Sequence, residues 1–180
     1  MINLRLPLTP SRMLVSWPAH PWGGIYDISS SYAALDEDSQ RTLASDFNIY
    51  KKIARKSPHV ITREELVFLG ALCWRLKNDL LKIYRKNNID HKIIYYEQLI
   101  ERPRKILEGV LPYIGAAWED NVLKHHEIHA GQSIGGTSNT RPIDKNNRGK
   151  WKRRLGANDI SIIKKLCGKP ANKLFRNYFS

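Results

Sequence analysis

Apolar residues recur at three- or four-residue spacing along two stretches of the chain, which predicts two amphipathic helices. The longer helix is predicted from Thr62 to Arg85, and Thr62 with Glu65 has the spacing of a capping box at its start. The second is predicted from Arg102 to Ile114, with Pro103 in its first turn and Gly115 as its cap. Both helices are therefore expected to bury one face.

The segment between these helices, His91–Tyr96, is a short apolar, β-branched and aromatic run, which predicts a buried strand. A shorter run, Met13–Val15, is compatible with a strand end or with a first helical turn. The Pro- and Gly-rich stretch 16–31 and the Gly-, Ser- and Asn-rich stretch 131–147 are typical of loops. Further helices are predicted at Leu43–Lys56, Trp118–His126, Ala157–Leu166 and Ala171–Arg176, the last two separated by a break at Gly168–Pro170.

Length and composition narrow the class of protein. A chain of 180 residues with 42% hydrophobic and 26% charged residues is expected to form one globular domain. No apolar run approaches the ~18 residues of a membrane span, and Met1–Thr9 lacks the features of a signal peptide. Cys73 and Cys167 define neither a disulfide framework nor a metal site, so we expect a reducing, cytoplasmic setting.

The net charge of +13 predicts an anionic partner or a strongly solvated surface. The segment Arg141–Arg154 (RPIDKNNRGKWKRR) holds seven Lys or Arg residues against a single acid, Asp144. Gly149 would allow a close backbone approach to an anion, and Trp151 would offer a stacking face. A nucleotide-phosphate loop, a solvated loop and a nucleic-acid patch all remain compatible with this pattern.

Two further features could carry chemistry. Tyr96 is predicted at the end of a strand, where it could stack on a base or simply pack as a buried aromatic residue. His125 and His126 fall at a predicted helix end, and no other ligand with metal-site spacing lies near them in the sequence. We therefore interpret these histidines as a polar helix end and predict no metal.

The order of these pieces resembles the sulfotransferases that use PAPS, the 3′-phosphoadenylyl sulfate donor. Tyr96-Glu97-Gln98-Leu99 is similar to the Tyr-Glu-Asp-Leu strand end of that family, and the helix after Pro103 ends in Tyr-Ile-Gly. Thr140–Ile143 followed by Gly149-Lys150-Trp151-Lys152 resembles the family's G-x-x-G-x-W-K loop. The resemblance extends over roughly Glu64–Phe179.

The resemblance implies a fold, a co-substrate and a role for each matching residue. The fold would be the C-terminal portion of the P-loop-type sulfotransferase fold, helix-rich α/β with an incomplete parallel sheet. Tyr96 would face the adenine of PAPS and Ser16 would contact its 3′-phosphate. Trp151 would anchor the loop over that phosphate, which is expected to contain three basic residues and one glycine, namely Lys145, Arg148, Lys150 and Gly149.

The domain is expected to have four parts: an irregular or helical part at 1–60, a helix–strand–helix core at 61–130, a basic nucleotide-closing loop at 131–156 and C-terminal helices at 157–180. In its complete form such a protein would transfer a sulfuryl group from PAPS to a hydroxyl or amine acceptor.

Met1–Thr9 contains neither Gly nor Lys and so offers no phosphate loop. We therefore expect a truncated chain that is inactive alone and has no assignable catalytic residue. An oligomer or a complementing chain would cover its incomplete sheet, with the loop Pro18–Tyr26 as a candidate interface. A non-catalytic remnant and a nucleic-acid-binding module are the alternatives. The sequence does not identify the acceptor.

Overall fold

The computed structural model describes residues 12–16, 28–128, 142–147 and 151–174. These residues are rich in helix, as predicted, and they contain one pair of strands. In chain order the elements are β1 (Arg12–Ser16), α1 (Ile28–Ala33), α2 (Glu37–Ile53), α3 (Arg63–Lys86), β2 (Asp90–Ile94), α4 (Tyr96–Glu101), α5 (Pro103–Val110), α6 (His125–Ile128), α7 (Trp151–Arg154) and α8 (Ala157–Leu174).

The chain divides into two compact units, each built from two separate segments, a division that the sequence analysis did not anticipate. We call residues 1–19 with 89–152 the strand unit, because it contains β1 and β2. We call residues 20–88 with 153–180 the helical unit, because its described residues form α1, α2, α3 and α8. No helix in the described ranges is both long enough and apolar enough to cross a bilayer.

The long helix α3 organises the helical unit and confirms its predicted start. Thr62 Oγ1 accepts a hydrogen bond from the Glu65 backbone N–H at 3.3 Å, and a Glu65 carboxylate oxygen accepts the Thr62 N–H at 3.0 Å. This is the capping box that the sequence indicated. Helix α2 begins earlier than predicted, at Glu37, because Asp36 caps it by accepting the Ser39 N–H at 2.8 Å.

Two faces of α3 are buried, each against different helices. Leu69, Leu72 and Leu76 pack in a core shared with α1 and α2, and full burial of one such side chain contributes about 1.5–3 kcal/mol. Ala71 packs instead against Leu166 and Cys167 of α8. The two faces explain why this helix is the centre of its unit.

Helix α8 is continuous, so the predicted break at Gly168–Pro170 and the separate helix at 171–176 are wrong. Proline at position 170 has no N–H to donate to the Leu166 carbonyl, which would ordinarily leave that carbonyl unpaired. The Arg75 guanidinium of α3 donates to this oxygen at 3.0 Å. A neighbouring helix therefore supplies the donor that proline removes, and the helix continues through residue 174.

The predicted helix 102–114 is divided in the structure. Helix α5 covers Pro103–Val110, and a 3₁₀ turn, Pro112–Ile114, follows it, because Pro112 cannot continue the α-helical hydrogen bonding. Gly115 ends the turn at φ +77°, a left-handed conformation that glycine adopts without strain and that its predicted role as a cap requires. The predicted helix 118–126 is instead a 3₁₀ turn, Asp120–Lys124, followed by α6.

The strands of the strand unit run in parallel. Arg12 pairs with Asp90 at one end of the ladder and Ser16 pairs with Ile94 at the other. The apolar run at Met13–Val15 is thus part of a strand, one of the two structures its sequence allowed. Strand β2 is only partly covered, not buried as predicted, and it stops at Ile94 rather than Tyr96. Lys92 of this strand donates to the Gly109 carbonyl and its ammonium lies 5.6 Å from the Tyr113 ring centroid.

Candidate nucleotide-binding site

The carboxyl end of the strand pair brings two of the predicted site residues to one edge of the strand unit. Ser16 is the last residue of β1 and is paired with Ile94, the last residue of β2. Tyr96 follows two residues later, as the first residue of α4. In open α/β sheets, ligands bind outside the carboxyl ends of the strands, so this edge is a candidate ligand site.

Tyr96 begins a helix instead of ending a strand, which corrects the prediction for this residue. Its side chain is half-buried. Partial burial raises the pKa of its hydroxyl above the ordinary value of 10.0, and the nearby carboxylates of Glu97 and Asp144 raise the pKa further. The phenol therefore remains protonated and neutral at physiological pH, which suits a ring that stacks on a base and donates a hydrogen bond.

The basic segment reaches the same edge through a short 3₁₀ turn. Lys145–Asn147 forms this turn and contacts α4, the helix that Tyr96 begins. The Asp144 carboxylate accepts the Asn146 backbone N–H at 2.8 Å, so this acid shapes the turn in addition to lying near Tyr96. Lys145 is exposed and can approach an anion from solvent.

The structure describes only part of the predicted closing loop, which extended over residues 131–156. Within that range Lys145–Asn147 and Trp151–Arg154 are helical turns, which the prediction of a continuous loop missed. Arg148, Gly149 and Lys150 lie outside the described residues, as does the candidate interface Pro18–Tyr26. For Ser16 and Trp151 the structure describes the backbone position only.

The end of the basic segment is held by an ion pair that the sequence analysis did not single out. In the helical unit, Arg63 Nη2 donates to the Asp159 carboxylate at 2.7 Å and to the Arg154 carbonyl at 3.1 Å. The Gly156 N–H also donates to Asp159, at 3.0 Å. Both hydrogen bonds hold the pKa of the Asp159 carboxyl below its usual value, and the bond from Arg63 has the larger effect. A basic residue at the first position of α3, where the helix dipole disfavours a cation, was the available signal.

Of the two histidines at the start of α6, the structure describes the side chain of His126. His126 Nε2 lies 3.7 Å from a Glu127 carboxylate oxygen, within the same short helix. Over the ranges that the structure describes, His, Cys, Asp and Glu side chains form no group of three suited to a metal ion. The candidate site at the carboxyl edge of the strand pair is thus defined by an aromatic ring, Tyr96, a strand-end serine, Ser16, and a lysine, Lys145.

Comparisons with known proteins do not assign the chain to a family. No family model matches the sequence, and no solved structure matches it. The case for a nucleotide therefore depends on the residues at the carboxyl edge of the strand pair.

Proposed function

We propose that this protein is sulfotransferase-like and that the carboxyl edge of its strand unit binds the 3′-phosphoadenosine part of PAPS. The observation that carries the proposal is the parallel register of Ser16 with Ile94, two residues before Tyr96. The contact between α4 and the turn that begins at Lys145 supports it, because this contact adds a cation to an aromatic ring and a hydroxyl.

Each residue has a stated role in this proposal. The Tyr96 ring stacks on adenine, the Ser16 hydroxyl donates to the 3′-phosphate, and Lys145 neutralises part of its charge. Arg148 and Lys150, with Gly149 between them, would extend the same charge over the nucleotide, and Trp151 would anchor the segment. These roles follow from the sequence resemblance together with the position of the described residues.

In the complete form of such a protein, a sulfuryl group would pass from PAPS to a hydroxyl or amine acceptor. The bond from sulfur to the 5′-phosphate oxygen breaks as a bond from sulfur to the acceptor forms, and adenosine 3′,5′-bisphosphate and a proton are released. Sulfuryl transfer needs positive charge near the oxygen that leaves, as phosphoryl transfer does. The proposal assigns nucleotide binding to the residues above and no catalytic role to any of them.

Calorimetric titration of the full chain with adenosine 3′,5′-bisphosphate tests the proposal. We expect Tyr96→Leu to weaken binding by about fivefold or more, because stacking on one base contributes ~1–3 kcal/mol. Ribose 3,5-bisphosphate, which lacks the base, should bind wild type and Tyr96→Leu equally. This comparison separates lost stacking from a general disturbance of the edge.

The cationic part of the site has its own matched control. Lys145→Ala should weaken adenosine 3′,5′-bisphosphate about threefold, as expected for an exposed charge pair, and changing Arg148 and Lys150 as well should weaken it further. Lys105→Ala removes another exposed lysine, from α5 of the same unit, and should leave the affinity unchanged. Equal effects of the two lysine variants, or no binding at millimolar nucleotide, would contradict the proposal. Tight, steeply salt-dependent binding of mixed duplex would favour the nucleic-acid alternative instead.

A further inference from the structure

An open groove lies on the surface of the helical unit, and none of the residues assigned to the nucleotide site lines it. Its volume is about 430 Å³, and its lining combines four apolar side chains from three helices with four charged residues, Lys52, Lys56, Glu64 and Glu65. Ile49 and Ile53 come from α2, Phe68 from α3 and Ile162 from α8. Ile49 is 41% exposed, so one wall of the groove presents a large apolar side chain to water. Such exposure costs free energy that a ligand covering the wall would recover.

The charged residues at the rim differ in whether they already have partners. Lys56 Nζ lies 2.5 Å from a Glu65 carboxylate oxygen, so these two charges neutralise each other. The Glu64 carboxylate accepts a hydrogen bond from Asn158 Nδ2 at 2.6 Å. Lys52 makes no hydrogen bond or ion pair with the residues that the structure describes. Lys52 is therefore the rim cation that has no partner among the described residues, whereas the Glu64 carboxylate keeps its negative charge and holds one neutral donor.

The surroundings of the groove favour the same sign of ligand. The helical unit holds 18 of the 30 Lys and Arg residues of the chain and 9 of its 17 acidic residues, which gives it +9 of the +13 net charge. The last turn of α2 and the residues after it contribute Lys51, Lys52, Arg55 and Lys56. Burial raises the pKa of the Asp46 carboxyl of α2, although Lys165 of α8 and Arg75 of α3 act in the opposite direction. A net charge of this sign attracts anions toward the helical unit.

We propose that the groove binds a small amphiphile with one apolar chain and one anionic head group. The chain would cover Ile49, Phe68 and Ile162, and Lys52 would pair with the head. The groove volume falls in the ~300–1,000 Å³ range of small-molecule sites, which are mostly apolar with a few placed polar groups. This inference is independent of the nucleotide proposal, because every residue it uses lies in the helical unit.

Titration calorimetry with decanoate below its micelle concentration is the first test, with hexanoate, octanoate and decyltrimethylammonium as comparisons. Affinity should rise with chain length, by up to about fourfold for each buried methylene. Decyltrimethylammonium has the same chain and the opposite charge, so it should bind at least tenfold more weakly than decanoate. The same affinity for both head groups, or for all three carboxylates, would refute the proposal.

Variants locate the binding to the groove. Ile49→Glu replaces the exposed wall with a carboxylate and should weaken decanoate by about tenfold or more. Lys52→Gln should weaken decanoate about threefold and leave decanol unchanged, because decanol has no charge to pair. Lys51→Gln makes the same charge change at an adjacent exposed position, where the ammonium lies over the Phe47 ring at 5.3 Å, and should have no effect.

The variant series shows whether decanoate binds in the groove or elsewhere. Equal losses from Lys51→Gln and Lys52→Gln would mean that decanoate responds to the general field and not to a built site. Unchanged binding to Ile49→Glu would place decanoate elsewhere and overturn the assignment. Association with anionic vesicles in the absence of any decanoate binding would replace the small ligand by a membrane surface. Melting curves that match wild type confirm that the exposed substitutions leave the fold intact.

Discussion

Burial of the Cys167 thiol makes the stability of the helical unit depend on pH in the alkaline range. Cys167 is 2% exposed, and its Sγ donates to the Ala71 carbonyl at 3.2 Å. Burial raises the pKa of this thiol from its ordinary value of 9.0 to about 12, although Arg75 nearby acts in the opposite direction. The folded chain therefore holds this proton at pH values where the unfolded chain releases it.

The sign and size of the effect follow from proton linkage. Between the unfolded pKa of 9.0 and the folded pKa of about 12, the unfolded state binds fewer protons, so stability falls as pH rises. The loss is ~1.4 kcal/mol for each pH unit. At pH 10.5, which is about 1.5 units above the unfolded pKa, ionisation of this thiol in the unfolded state should lower the free energy of unfolding by ~2 kcal/mol relative to pH 7.

Urea unfolding, followed by circular dichroism at several pH values between 7 and 10.5 with a phosphine reductant, measures this loss. Cys167→Ala is the comparison, since the cavity that it leaves costs a constant amount at every pH and cancels from the slope. Titration of other groups is common to both proteins and also cancels. The free energies of unfolding of the two proteins should therefore converge by ~2 kcal/mol between pH 7 and 10.5. Parallel curves would refute the reasoning.

Two further predictions concern the backbone and the acid range. Gly115→Ala places a Cβ on a residue with φ +77°, and no atom lies within 4 Å of that Cβ. Backbone strain alone should therefore destabilise the chain by ~1 kcal/mol and lower its melting temperature by about 2–4 °C. An unchanged melting temperature would mean that the turn relaxes to avoid the strain. Asp159 has a lowered pKa, so its contribution is complete above the unfolded value of 3.8 and is lost as pH falls below it. Acid titration should consequently destabilise wild type more steeply than Asp159→Asn, and identical acid transitions would contradict the role of the Arg63 pair.

Local signals in the sequence were sufficient for some elements. The capping box and the regular apolar spacing predicted α3 within one residue at each end, because both signals act within a turn or two of the helix. The break predicted at Pro170 was wrong because the interaction that keeps the helix continuous is distant in the sequence. The guanidinium that rescues the helix belongs to Arg75, 91 residues from Leu166 in the chain, and no local pattern contains that information.

The sequence indicated residues of one candidate site and gave no signal for the other. The sequence indicated Tyr96 and Lys145 as separate features, and the structure brings the elements that carry them into contact within the strand unit. The groove could not be predicted, since Ile49, Phe68 and Ile162 lie on three helices and each fits the apolar pattern of its own helix. Only their packing shows that Ile49 remains exposed while the others form walls around it.

The interleaved segments of the two units have a consequence for synthesis on the ribosome. Strand β1 can pair only after β2 has been synthesised. Because Arg12 pairs with Asp90, the ribosome must add roughly 80 residues after β1 before this pairing can form. At about 5–20 residues per second this delay is roughly 4 to 16 s. The packing of α8 on α3 in the helical unit waits longer still, since Ala71 meets Cys167 only 96 residues later. Strand β1 and one face of α3 therefore emerge without their partners, and in that interval they are candidates for chaperone binding and for pairing with the wrong strand.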